Sequence, residues 1–173
     1  MPKFNRRASF TLYEVYRASH NKSQGHGQIQ MNDPIFGKPI FTYTTKQAVE
    51  DGFLIKIDSK ILSEVGIKFP VYLTRSVYDK YVCVPKELEH EQDLDGRLWD
   101  LLYMFAFKAR NCSSSTVDFQ FICRLPNKGD WETNEKRQSI NPVQRLVTLH
   151  SEIRALDFDD PSPAIFILKP HED

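Results

Sequence analysis

Arg97 and Asp100 stand three residues apart in a segment that leads into a long apolar run, and they are the first candidates for chemistry. An arginine presented there could bind a carboxylate or a phosphate, because its guanidinium matches both anions in a fork geometry. The alternative is an ion pair within one helix, since residues three apart share a helix face. The neighbouring Leu98 and Trp99 favour this second, structural interpretation, in which the pair helps to fix the tryptophan.

Cys83 and His150 are the residues that could support an enzymatic reaction. A cysteine nucleophile needs a lowered thiol pKa and a nearby base. Cys83 lies in an apolar stretch, and no pattern ties it to His90 or His150, so the sequence predicts a buried, inert thiol. His150 and Glu152 alternate on one predicted strand and share a face, which is the one geometric point in favour of a metal site at His150.

The sequence predicts no metal site and no cofactor. The three cysteines include no C-x-x-C pair, and the five histidines include no zinc-binding helical pair. Both glycine-rich phosphate-binding motifs are missing from the sequence. Three scattered cysteines are typical of reduced thiols, which predicts a cytoplasmic protein.

A long polar segment, residues 126–142, connects two predicted strands and exceeds an ordinary hairpin loop. It carries Trp131 among charged neighbours. An exposed tryptophan could anchor a protein partner, or it could stack on a base while nearby cations bind phosphates. Alternatively, Trp131 folds back over an edge of the sheet. The predicted binding residues of the whole chain are Trp131, Lys128, Lys136, Arg137, Arg97 and Asp100.

Residues 1–34 form a basic arm with five lysines and arginines against Glu14 and Asp33. We expect it to be partly ordered through its aromatic residues; the alternative is a mobile terminus without a role. Over the whole chain, 23 basic residues balance 23 acidic ones, so no global charge attracts nucleic acid or an anionic membrane. No apolar run approaches the roughly 20 residues that span a bilayer.

The elements that must position these residues are predicted from caps and hydrophobic periodicity. Helices begin at the Thr44–Gln47 capping box, at Asp58 or Ser59, and at Thr74, and glycines end the first two. A longer helix, apolar almost all round and therefore buried on most sides, runs from about 94 to 110. The predicted extended segments are 53–57, 69–73, 117–124, 146–153 and 164–168. Residues 35–173 therefore predict a single α+β domain, with the long helix on a mostly antiparallel sheet of three to five strands.

Several short motifs together resemble a family of small uncharacterised proteins of bacteria, plasmids and phages. The most specific is the G-R-L-W-D element, and the resemblance covers roughly residues 35–169. It implies a shared fold and assigns no catalytic residue, because the family has no established activity. The segments that carry it are Ile40–Tyr43, Ala48–Gly52, Phe69–Val71 with Leu73–Thr74, Asp95–Asp100 and Arg145–Leu149.

The sequence therefore favours a small non-enzymatic binding or adaptor protein of a bacterium or its mobile elements, outside the membrane. We expect it to dock on a protein partner through the 126–142 loop, the arm, or both; inhibition of a host defence system would fit a mobile-element context. One alternative is a nucleic-acid-binding accessory protein that uses the arm and the loop. A second is an enzyme that uses Cys83 or His150.

Overall fold

The computed structural model describes residues 43–126 and 143–172. The basic arm and residues 127–142 of the long loop lie outside these ranges. Four helices, five strands and two short irregular helical turns make up the described part. The helices are α1 (Thr45–Glu50), α2 (Ser59–Val65), α3 (Arg75–Val77) and α4 (Leu94–Ala109), with a π-helical turn at Tyr78–Val82 and a 3₁₀ turn at Lys86–Leu88; the strands are β1 (Leu54–Lys56), β2 (Val71–Thr74), β3 (Thr116–Leu125), β4 (Val143–Ala155) and β5 (Pro163–Leu168).

The five strands form one sheet in the order β1-β2-β5-β4-β3. Neighbouring strands are antiparallel except β2 and β5, which run parallel. This confirms the predicted α+β domain with one long helix and a mostly antiparallel sheet. The meander β3-β4-β5 follows the order of the chain. The parallel pairing of β2 with β5 joins distant segments and leaves no turn signal in the sequence.

The first two helix boundaries form as the sequence predicts. At α1, the Gln47 amide donates to the Thr44 hydroxyl at 3.2 Å, and the Thr44 amide donates to the Gln47 side-chain oxygen at 2.9 Å. This reciprocal pair satisfies amides that the first helical turn leaves unbonded. Gly52 and Gly66, which follow α1 and α2, both adopt the left-handed conformation with φ of 79°. Glycine adopts this conformation without a Cβ clash.

Helix α4 packs on one face of the sheet and contributes six buried residues to the main core. Its buried residues meet the inward-facing residues of β3, and the rings of Phe105 and Phe119 lie edge to face with centroids 5.6 Å apart. The sequence predicts that α4 is buried on most sides, but the helix is buried on this inner face only. On the outer face, Trp99 stays 36% exposed and Phe107 53% exposed.

The other face of the sheet is covered over part of its width. Tyr72 and Phe166 stack there with centroids 5.3 Å apart, and Val49 of α1 packs against this second, smaller cluster. Over β3 and β4 the same face exposes Ile122 and Leu146, which are register partners. Within residues 43–126 and 143–172, no helix is long and apolar enough to cross a membrane.

Candidate functional site

Arg97 is buried, and each of the three guanidinium nitrogens donates a hydrogen bond inside the protein. Only 4% of the residue is exposed. Its side chain donates to the Gln92 side-chain oxygen at 3.0 Å, to the Cys83 carbonyl at 2.9 Å and to the Arg124 carbonyl. Arg97 therefore joins the start of α4 to the segment after α3 and to the end of β3.

The predicted ion pair between Arg97 and Asp100 does not form. None of the ion pairs of the described residues joins the two side chains. The reason is direction: Arg97 points into the protein, where backbone carbonyls need donors, whereas Asp100 is exposed on the outer side of α4. Desolvation nevertheless raises the pKa of the Asp100 carboxyl above its usual value.

Trp99 is fixed by Tyr103 and not by the charged pair. The two rings stack with centroids 4.8 Å apart and an interplanar angle of 10°. Phe107 follows one turn later, so Trp99, Tyr103 and Phe107 form a row at intervals of four residues along the outer side of α4. We call these three residues the aromatic row.

A groove of about 460 Å³ lies between α2 and α4 beside the aromatic row. Ile61 and Leu98 supply its apolar lining, and Trp99 is part of its wall. Gly96, at the groove's edge, lies against the cap of α4: a Cβ there would be 3.3 Å from a carboxylate oxygen of Asp93. The residues of this α2–α4 groove are Asp58, Lys60, Ile61, Glu64, Asp95, Gly96, Leu98 and Trp99.

The α2–α4 groove has an acidic lining. Asp58, Glu64 and Asp95 contribute three carboxylates against the single cation of Lys60. Asp58 caps α2 by accepting the Lys60 amide at 2.9 Å. Glu64 and Asp95 have no ion-pair partner in the part of the chain that the structure describes. The carboxylates of Glu64 and Asp95 are therefore available to pair with a cation of a binding partner.

A second groove of about 910 Å³ lies on the other side of α2. Its buried lining residues are Ile57, Leu62 and Ile67. Lys56 and Lys68 stand exposed at its rim, and Asp58 is shared with the first groove. Its lining carries two cations and one carboxylate, so it lacks the strong charge bias of the α2–α4 groove.

Cys83 and His150 lie on opposite sides of the sheet. The Cys83 carbonyl accepts a hydrogen bond from Arg97 on the α4 side, and burial raises the pKa of the Cys83 thiol. His150 lies on the other face with Glu152, as predicted, and its Nδ1 atom is 2.6 Å from a carboxylate oxygen of Asp118. The two residues therefore cannot form a nucleophile–base pair, which needs hydrogen-bond distance.

The described residues contain no cluster that suggests metal chemistry. Across residues 43–126 and 143–172, no group of three or more histidine, cysteine or acidic side chains is placed to hold a metal ion. The predicted binding residues Trp131, Lys128, Lys136 and Arg137 lie outside the described residues.

Comparison of the chain with protein-family models, curated proteins and solved structures finds no match. Sequence reasoning missed the aromatic row because it predicted that α4 is buried on most sides. The available signal was the spacing of Trp99, Tyr103 and Phe107, which places them together and away from the buried leucines.

Proposed function

We propose that this chain is a small, non-enzymatic protein-binding domain that docks on its partner through the α2–α4 groove and the aromatic row. The observation that carries the proposal is Trp99, held flat against Tyr103 at the side of an open groove and still 36% exposed. A tryptophan held in place loses little side-chain entropy on binding, and tryptophan is a common energetic anchor of protein interfaces.

The biological setting of the proposal comes from the resemblance. A cytoplasmic adaptor of a bacterium, plasmid or phage, including an inhibitor of a host defence system, would need such a surface and no catalytic centre. The 126–142 loop and the basic arm would add contacts through Trp131 and the nearby cations. The separation of Cys83 from His150 by the sheet supports a binding role over an enzymatic one.

Nucleic-acid binding is the weaker candidate, because the described groove is acidic and would repel phosphates. That alternative depends on residues 1–34 and 126–142. A salt titration separates the two: phosphate contacts by the arm and loop would give a steep loss of DNA or RNA affinity with rising salt.

Site-specific photocrosslinking tests the protein-binding proposal. A photoreactive phenylalanine analogue replaces Phe107 in one variant and Phe158 in another, in cells that naturally carry the protein. Both positions are highly exposed, and only Phe107 belongs to the aromatic row. A discrete adduct from position 107 and none from position 158 is expected. No adduct at 107, or the same adduct at both positions, contradicts the proposal.

A further inference from the structure

We infer that the partner segment seated in the α2–α4 groove is a cationic amphipathic helix of another protein, with lysine or arginine beside apolar side chains. The inference rests on the proposed function and specifies the chemistry of the partner. Three features of the groove carry it: its charge, the exposed part of Trp99 and its apolar lining.

The charge of the groove selects a cation. Glu64 comes from α2 and Asp95 from α4, so unpaired carboxylates stand on both of the helices that form the groove. Asp100 adds a third exposed carboxylate next to Trp99. The first turns of α2 and α4 offset part of this charge through their helix dipoles, and Lys60 offsets one carboxylate. The remaining excess is negative, and a cationic segment complements it.

The ring of Trp99 offers a second contact for the same cation. One face is covered by Tyr103, so the exposed remainder of the indole is what a partner can reach. An arginine or lysine placed over an indole face gains a cation–π contact in addition to the ion pair. A carboxylate at this position would meet both the π electrons and Asp95, and both would repel it.

The apolar lining requires that the partner is amphipathic. Ile61 and Leu98 lie between the charged side chains, and the groove volume of about 460 Å³ is enough for inserted side chains. A helix that presents leucine or isoleucine at intervals of three and four residues would fill it, with cations on the flanks of the same helix.

Two labelled peptides of about 15 residues test the inference by fluorescence anisotropy with the full chain. Both carry leucines at the same helical positions; one has arginine at the flanking positions and the other glutamate. The arginine peptide should bind at least about tenfold more tightly at low salt, and its affinity should fall as salt rises. The full chain with the double change Glu64→Gln and Asp95→Asn should lose about tenfold in affinity for it.

The variant Trp99→Ala should also bind the arginine peptide about tenfold more weakly, provided that its circular dichroism and unfolding midpoint show a folded protein. If it does not fold, the double carboxylate variant decides alone. The matched controls are Phe158→Ala and Asp159→Asn, an exposed aromatic and an exposed carboxylate in the β4–β5 turn. Both controls should bind the arginine peptide as the unchanged chain does.

Each of five other results overturns the inference. If the two peptides bind equally, or if neither binds, the groove has no preference for a cationic segment. Tighter binding of the glutamate peptide with loss in Trp99→Ala also removes the cationic partner, but leaves the proposed docking surface intact. Tighter arginine-peptide binding after Arg6, Arg7 and Arg17 are changed to glutamine means that the chain's own basic arm occupies the groove. If sedimentation velocity shows that the chain self-associates and that the arginine peptide disrupts the association, a second copy of the chain occupies the groove.

Discussion

The Nη1 atom of Arg97 donates to the carbonyl oxygen of Cys83 at 2.9 Å, across a separation of 14 residues. The same guanidinium reaches the Arg124 carbonyl at the end of β3. Two backbone acceptors from different elements thus depend on one buried cation at the start of α4. Such carbonyls would otherwise be desolvated without a donor, which costs free energy.

Changing Arg97 to leucine should therefore lower the free energy of unfolding by about 2–4 kcal/mol, because both carbonyls lose their donor inside the protein. Urea denaturation with an unchanged m-value measures this. Arg75→Gln is the matched control, since Arg75 makes a solvent-exposed ion pair with Asp79 at 2.8 Å. The Arg75→Gln change should lower the free energy of unfolding by less than about 0.5 kcal/mol. Equal losses in the two variants would contradict the structural role of Arg97.

Phe105 and Phe107 test the orientation of α4. Phe105 is fully buried, and Phe107 is 53% exposed two residues later. Phe105→Ala should cost roughly 3–5 kcal/mol, because it leaves a cavity under the helix. Phe107→Ala should change the free energy of unfolding by less than about 0.5 kcal/mol and weaken partner binding instead. Comparable destabilisation by both changes would mean that the aromatic row is part of the core.

The parts of the fold that could be predicted are those whose partners are close in sequence. Thr44 and Gln47 are three residues apart, so their capping box is visible in the sequence itself. The alternation along β3 and β4 likewise reports local burial. The three acceptors of Arg97 could not be predicted, because two of them are backbone carbonyls brought near only by the packing of α4 on the sheet.

The α2–α4 groove escaped prediction for the same reason. It exists because α2 and α4 are placed side by side, and no pattern within either helix encodes that placement. The aromatic row was hidden in another way. Trp99, Tyr103 and Phe107 are as apolar as the buried residues, so hydrophobicity alone could not separate the outer side of α4 from its inner side.

The three cysteines should react with a thiol reagent in a fixed order. Burial, together with the nearby charge of Asp79, raises the pKa of Cys83, and burial raises that of Cys123. Because the thiolate is the reactive form, both should be slow at neutral pH. Cys83 is half-buried and not fully buried as predicted, whereas Cys123 is buried and should react only on unfolding. Cys112, half-buried in the turn after α4, should react first.

Absorbance kinetics with a disulfide reagent measure this order. Cys112→Ser should remove the fastest phase, and the rate of Cys83 should rise about tenfold per pH unit below its raised pKa. A fast phase that persists in Cys112→Ser and disappears in Cys83→Ser would show an activated thiol. That result would return the enzymatic alternative to consideration.

Glu172 fastens the segment after β5 to the start of α3. Its carboxylate accepts the Ser76 hydroxyl at 2.5 Å, the Lys169 amide at 2.9 Å and the Thr74 hydroxyl at 3.0 Å. Burial disfavours the charged form. The three hydrogen bonds and the nearby charge of Lys169 together outweigh it, and they hold the pKa of Glu172 below its ordinary value of 4.5.

Glu172→Gln should remove a stabilisation that depends on pH. A lowered pKa means that the unfolded chain binds the proton more readily, so the ionised Glu172 stabilises the fold above pH 4.5 and ceases to do so as pH falls through its folded pKa. At neutral pH the variant should be less stable by about 1 kcal/mol. In urea titrations at several pH values, that difference should shrink toward zero in acid. Glu89→Gln, a change of an exposed carboxylate, should show neither effect. A difference that stays constant with pH would mean that the glutamate acts through packing and not through its charge.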